Sequence, residues 1–136
     1  MKVFSPILIF FVFWSFKAET QTITELKQQI DTTKSDSSRV MLSNKLAVKY
    51  RNSAPDSGFH LLRSSLELAK EIENKSCVSA SYNALGILHF YQSNYDSMIH
   101  YSRKCLDLSI ALRDSFRIGA MYNNIGTALN YKTNYD

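Results

Sequence analysis

The second half of this chain repeats itself at a spacing of forty residues. When residues 56–96 are aligned with residues 96–136, fourteen of the forty-one pairs are identical, whereas ordinary residue frequencies would give about two or three. The identities recur at helix-period intervals, without the alternation typical of strands, and the whole chain holds only four Gly and two Pro. This pattern predicts stacked α-helical hairpins, in which neighbouring units bury a shared core.

Residues around the middle of the repeat carry a family resemblance. Gly86 matches a small residue in the first helix, Tyr82 and Leu85 match bulky positions before it, and Tyr95 matches an aromatic at the turn. A small residue followed by Leu, at 105–106, falls in the second helix. In these positions the stretch from 80 to 106 resembles a tetratricopeptide repeat (TPR), of the forty-residue type found in exported arrays of bacterial sensor kinases and regulators.

The resemblance implies an all-α fold, with TPR-like antiparallel helical hairpins forming a short right-handed α-solenoid. Gly86 and Gly126 are expected where the helices of a hairpin approach closely, which can offset the cost of about 1 kcal/mol for Gly inside a helix. Tyr95 and Tyr135 are expected to pack back across a Ser/Thr-Asn turn. Since the family unit has about 34 residues, we expect the extra ones to lengthen the second helix and its exit, over 107–116.

The rest of the chain divides around these units. A helix is predicted from a cap at Asp36 or Ser37 to about Arg51, and another from Pro55 to Glu73, because Pro fits a first turn. The last unit stops at its turn, so we expect the chain to be a fragment. The predicted segments are a signal peptide (1–18), a polar linker with a short helix at 22–30 (19–36), a degenerate first TPR-like unit (37–75), a TPR unit (76–114) and the first helix of a truncated unit (115–136).

The N-terminal segment predicts export to the periplasm or another extracytoplasmic space. Lys2 precedes an apolar run, Val3 to Phe16, that is shorter than the roughly 20 residues needed to span a bilayer. This outline is typical of a signal peptide. Phe16 fits the usual cleavage pattern around Ala18 poorly, so an uncleaved membrane anchor stays open. If the chain is a fragment, as we expect, a missing C-terminal part is the other route to the membrane.

Charge and reactive side chains exclude several function classes. The formal charge is +4, but it falls to +2 without Lys2 and Lys17, which is too weak for a nucleic-acid footprint. Two cysteines without clustered His or acids make no zinc site, and no other cofactor is expected. Cys105 is expected to be buried, and its pairing with Cys77 is left open.

The three histidines do not predict catalysis. His60 and His100 are equivalent positions in successive units, so they cannot share a metal or a substrate proton, and we expect both on a solvated face. His89 is expected to pack inward. No local catalytic motif or phosphate loop appears, and the chain is predicted not to be an enzyme.

The resemblance also implies a partner-binding groove lined by the first helices of the hairpins. Amide and aromatic side chains there can contact a peptide, although they can equally serve helix packing. Since the groove positions carry no Lys or Arg, we expect acidic peptide tails to bind poorly. The predicted groove residues are Ala80, Asn83, Ile87, Phe90, Tyr91, Asn123, Thr127, Asn130 and Tyr131.

The predicted function is a non-catalytic repeat module that binds a protein or peptide outside the cytoplasm. The alternative is the sensory input region of a larger membrane signalling protein, a histidine kinase or transcriptional regulator, of which this chain is an N-terminal fragment. An apolar run of about 20 residues encoded further downstream would favour the alternative.

Overall fold

The chain folds into helices that pack one after another. The computed structural model describes residues 23–135, and the regular structure within them is entirely helical. The helices are α1 (23–32), α2 (Asp36–Lys49), α3 (Pro55–Glu71), α4 (Lys75–Tyr91), α5 (Tyr95–Ala111) and α6 (Ser115–Tyr135). From α2 onward each helix packs on the next, and α2 also packs on α4. The predicted all-α stack of helical hairpins is confirmed, and the predicted signal peptide (1–18) lies outside the described residues.

A helix-and-turn unit of twenty residues underlies the forty-residue repeat. Helices α3, α4 and α5 each contain 17 residues, and three-residue turns join them. The middle residue of each turn is left-handed, with φ of 51° at Glu73 and 56° at both Ser93 and Arg113. The lengthening predicted over 107–116 is observed only in part: α5 continues through 107–111 and ends at Ala111, and α4 is equally long.

Short polar side chains begin most of these helices. Asn74 and Asn94 accept hydrogen bonds from the backbone amides three residues later, each at 3.1 Å, which satisfies donors that a helix start leaves exposed. Ser35 does the same for α2. The predicted cap at Asp36 or Ser37 is therefore wrong, because Asp36 lies inside the first turn, where its carboxylate pairs with Arg39 at 2.6 Å.

The core lies where α2, α3 and α4 meet. Leu62 and Leu88 are fully buried and pack with Ala47, Ala84 and Leu85. Burying a leucine side chain stabilises a fold by about 1.5–3 kcal/mol relative to leaving it exposed. A second cluster around Ala69 joins the same three helices, and a third around Ala128 joins α4, α5 and α6, so that each hairpin is stabilised by its neighbour.

Among the glycines of the described helices, Gly58 has the tightest contact with neighbouring helices, rather than the two glycines that the repeat pointed to. A Cβ atom on Gly58 would lie 2.9 Å from the Ala47 carbonyl oxygen and 3.0 Å from Leu88 Cδ2. At Gly86 the nearest atom would be Ser102 Oγ at 3.5 Å, an ordinary contact. At Gly126 no atom of residues 23–135 outside its own stretch of helix lies within 4 Å of the Cβ position, so the close approach predicted there, to a second helix after α6, stays a prediction.

The end of α6 also differs from the repeat pattern. Tyr95 packs back onto Phe90, with ring centroids 6.0 Å apart, as predicted for the turn before α5. The matching prediction for Tyr135 lies outside the described side chains. No turn forms at 133–134, because α6 continues to Tyr135. Asn134, which matches the capping Asn94, instead donates to the carbonyl oxygen of Asn130 at 2.8 Å.

Both cysteines are buried and unpaired. Cys77 packs with Val40 and Ala69, whereas Cys105 lies 3.2 Å from Ser79 Oγ. The burial predicted for Cys105 is confirmed, and the pairing that the sequence left open does not occur. Within residues 23–135, none of the helices combines the length and apolar character needed to cross a membrane.

Candidate partner-binding groove

A cavity of about 510 Å³ opens along the face shared by α2 and α4. Leu26 of α1 closes one side, and Arg117 of α6 lies at the other. Six of its lining residues are apolar, two are amides and four are basic. They are Leu26, Met41, Val48, Ala80, Ala84 and Ile87, then Asn44 and Asn83, then Lys45, Lys49, Arg51 and Arg117.

Matching positions of α2 and α4 form the floor of this groove. Helix α2 starts at residue 36 and α4 at residue 75, so their equivalent residues are 39 apart, not forty. In that register Met41, Asn44, Lys45 and Val48 match Ala80, Asn83, Ala84 and Ile87, and all eight line the cavity. The sequence alignment at forty residues missed the contribution of α2. The signal that could have revealed it is the pair Asn44 and Asn83 at the shorter spacing.

The groove is strongly biased toward positive charge. Four of the described lining residues are Lys or Arg, and none of them is acidic. The expectation that the groove supplies no cations is therefore wrong, because the basic residues come from α2, from the turn after it and from the first turn of α6. Such a site favours anionic groups and disfavours cationic ones.

Two guanidinium groups at the groove keep buried N–H donors without acceptors. Arg51 Nε and Arg117 Nη1 have no hydrogen-bond partner within residues 23–135. Arg117 Nη1 does lie 3.4 Å from Asp114 Oδ2, a distance that gives ionic attraction without hydrogen-bond geometry. Arg51 also stacks its guanidinium carbon 4.9 Å from the centroid of the Tyr91 ring. Buried donors of this kind are costly unless something pairs with them, and at Arg117 the ionic attraction of Asp114 offsets part of that cost.

Three of the predicted groove residues lie in the cavity wall. Ala80, Asn83 and Ile87 line it directly. The Asn83 side chain also accepts a hydrogen bond from Asn124 Nδ2 at 3.2 Å. Asn83 therefore ties α4 to α6, which is one of the two roles that the sequence left open, while its position in the wall keeps contact with a partner available.

The predicted aromatic residues form a cluster beside the groove. Phe90 contacts the rings of Tyr91, Tyr95 and Tyr131 at centroid distances of 5.3–6.0 Å, and it also packs against Met98, Ile99 and Ala128. Phe90 is thus a packing residue that joins α4 to α5 and α6. Tyr91 is 47% exposed and lies over Arg51, so it is the member of the cluster best placed to extend the groove.

The remaining predicted residues lie on α6, away from the cavity lining. Asn123 and Asn130 are exposed and Thr127 is half-buried. The side chain and carbonyl oxygens of Asn130 accept hydrogen bonds from Asn134. The cavity is bounded by α2 and α4, and α6 reaches it through Arg117, which explains why the repeat positions on α6 do not join Asn83 and Ile87.

A second cavity, of about 450 Å³, lies between α3, α4 and α5. His89 lines it and is held between the rings of Phe59, at 4.7 Å, and Tyr101, at 5.4 Å, so the inward packing predicted for His89 is confirmed. Burial lowers the pKa of His89 below its ordinary value of 6.5, and the nearby positive charge of Arg63 lowers it further. His60 and His100 are exposed, as predicted.

Metal-binding side chains do not cluster in the described part of the chain. Residues 23–135 bring together no three side chains of His, Cys, Asp or Glu that could hold a metal ion. The cavity on α2 and α4 holds three of the predicted groove residues and is the candidate binding site considered below.

Comparison with known proteins leaves the family open. No protein-family model, no curated protein and no solved structure matches this chain. The helical hairpins are a feature of the structure itself, whereas membership of the TPR family stays a prediction from the residues of the repeat.

Proposed function

We propose that this chain is a non-catalytic, TPR-like repeat module that binds a segment of another polypeptide in the groove between α2 and α4. The observation that carries the proposal is the chemistry of the groove lining, which combines an apolar floor, two amides and four positive charges. Among the described lining residues there is no acid, imidazole, thiol or hydroxyl group to act as a nucleophile or base. That chemistry suits recognition better than catalysis.

The same lining defines the segment that fits best. Asn44 and Asn83 can donate to and accept from a peptide backbone, although Asn44 already bonds to Ser65 and Ser81. Val48 and Ile87 offer apolar contact, and Arg117 can pair with a carboxylate through a charge-assisted hydrogen bond. We therefore propose an acidic segment that also carries large apolar side chains. The proposed setting outside the cytoplasm rests on residues 1–18, beyond the described part of the chain.

The test uses an array of synthetic twelve-residue peptides in which Asp/Glu content and Leu/Phe content vary independently. The full chain is expected to select peptides that have both, with affinity that falls as salt rises, because exposed charge pairs are screened. Peptides matched in length but carrying Lys in place of Asp and Glu are expected not to bind. Selection of neutral or basic peptides would contradict the proposal.

A pair of double variants then locates the binding site. Lys45→Gln/Arg117→Gln removes two groove charges, whereas Lys70→Gln/Arg103→Gln removes two exposed charges elsewhere and changes net charge equally. The groove variant is expected to weaken binding of the selected peptide by about tenfold or more, since hydrogen bonds to charged groups contribute about 1.5–3 kcal/mol. Equal losses in the two variants would mean that the peptide responds only to overall charge.

A further inference from the structure

A second surface, on the outer side of α6, is apolar and is left exposed by residues 23–135. Gly119, Tyr122, Gly126 and Leu129 follow one another at spacings of three, four and three residues, so they form one stripe along the helix. Tyr122 is 61% exposed and Leu129 47% exposed. At both glycines no atom of residues 23–135 outside the local helix lies within 4 Å of a Cβ position. We name this set the α6 stripe.

The equivalent face of α4 is covered by another helix of the chain. Shifted by forty residues, the α6 stripe corresponds to Ser79, Tyr82, Gly86 and His89 of α4, and all four contact α5. Ser79 Oγ lies 3.2 Å from Cys105 Sγ, Gly86 faces Ser102, and the rings of Tyr82 and His89 pair with that of Tyr101. In α4 this face receives an antiparallel helix over its whole length, so its counterpart on α6 has the form of a helix-docking surface.

We propose that the α6 stripe binds the same stripe of a second copy of this chain, in an antiparallel helix pair. In such a pair, facing residues lie equally far on either side of one central position. Tyr122 and Gly126 lie two residues either side of position 124, and Gly119 and Leu129 lie five residues either side of it. Tyr122 of one copy therefore faces Gly126 of the other, and Leu129 faces Gly119.

The α6 stripe is complementary in shape to the α6 stripe of a second copy, because large residues face glycines. At each pair of facing positions one bulky side chain meets one glycine, and each pair occurs twice by symmetry, so the helices can approach closely without a clash or a gap. Residues 119–129 also contain no charged side chain, so two identical copies do not repel each other there. A patch of this kind with nothing covering it marks an interaction surface.

The stripe and the groove occupy different sides of α6. Asn124, which bonds to Asn83 beside the groove, is two positions from Tyr122 and hence about 160° away around the helix. Arg117 likewise faces the groove. Pairing through the α6 stripe therefore leaves both grooves open, and it does not depend on whether the groove binds a peptide.

The test measures association of the full chain by sedimentation velocity and light scattering over a range of concentrations. The unaltered chain is expected to form dimers. Gly126→Leu is expected to raise the dimer dissociation constant by about a hundredfold, because overpacking recurs at both symmetry-related sites. The variant monomer is expected to melt no lower than the unaltered chain, since residue 126 has open space around it and Leu is a better helix former than Gly.

A double variant that exchanges the side chains at positions 122 and 126 tests the facing pairs directly. Tyr122→Gly/Gly126→Tyr places the large and small residues in each other's positions and restores the facing pairs, so dimers are expected to return. Ile110→Ser is the control, because Ile110 is 52% exposed but belongs to α5, and it is expected to leave dimerisation unchanged. A chain that is monomeric at every concentration, or a dimer indifferent to Gly126→Leu and to the exchange, would overturn the proposal. So would a monomer whose stripe binds a helix of a different protein.

Discussion

Replacing Gly58 with alanine tests whether the close contact between α2, α3 and α4 is essential to the stack. Gly58 is buried near the start of α3, and a Cβ atom there would lie 2.9 Å from the carbonyl oxygen of Ala47 and 3.0 Å from Leu88 Cδ2. The leucine methyl can move by a small rotation, but the carbonyl oxygen belongs to the backbone of α2. Relief of the clash therefore requires α2 and α3 to separate slightly.

The expected size of the effect follows from two opposing contributions. Alanine is a better helix former than glycine by up to about 1 kcal/mol, whereas forcing extra volume into a packed core costs about 1–3 kcal/mol. Since the contact is with backbone, we expect the cost to dominate, and Gly58→Ala to reduce the free energy of unfolding by about 1–2 kcal/mol.

Gly86→Ala is the matched control for this experiment. It makes the same substitution inside a helix, but its Cβ would meet Ser102 Oγ at 3.5 Å and the Met98 carbonyl oxygen at 3.6 Å, which are ordinary contacts. We expect it to be neutral or to stabilise by up to about 1 kcal/mol. Urea unfolding followed by far-UV circular dichroism, with unchanged m-values, measures both. If Gly58→Ala proved as stable as Gly86→Ala, the helix contact at Gly58 would not be tight.

Two further predictions concern a helix cap and a buried histidine. Ala54 precedes α3 at the position where Asn74 and Asn94 cap the following helices, and it provides no side-chain cap. Ala54→Asn is therefore expected to stabilise the fold by about 1 kcal/mol in the same urea assay. An unchanged free energy of unfolding would contradict this prediction. The lowered pKa of His89 means that the unfolded chain binds the proton more readily, so stability is expected to fall as pH drops below about 6.5. His89→Phe should flatten that dependence and His60→Gln should not; equal pH profiles would refute the assignment.

Helix content and helix order could be predicted from the sequence because they depend on local patterns. The helices predicted at 22–30 and from Pro55 to Glu73 are observed at 23–32 and from Pro55 to Glu71. The helix expected to begin near Asp36 begins there. In each case the spacing of the apolar residues and the Pro or polar residues at the helix ends lie within one element. The helix could therefore be predicted without knowing any distant contact.

Features that depend on contacts between distant residues were harder to predict. The sequence placed the close helix approach at Gly86 and Gly126, because they are identical in the repeat, but the tight position is Gly58, which is set by how α2 and α3 meet α4. Similarly, Ser65 and Ser81 are buried although hydropathy would leave serine at the surface. Both bond to Asn44, a partner that no local pattern reveals.

The positive charge of the groove is distributed unevenly between α2 and α4. Helices α2 and α4 present matching positions to the groove, with Asn44 and Asn83 at one of them, whereas the equivalent Asn123 of α6 lies away from the cavity. The neighbouring position changes from Lys45 in α2 to Ala84 in α4. Since the amide position is shared while the basic residues lie mainly on α2 and the turn after it, we expect a bound segment to lie with its acidic residues over α2 and its apolar residues toward Ile87. Moving the acidic residues from one end of a selected peptide to the other should therefore weaken binding to the unaltered chain and should matter less once Lys45 is replaced by Gln.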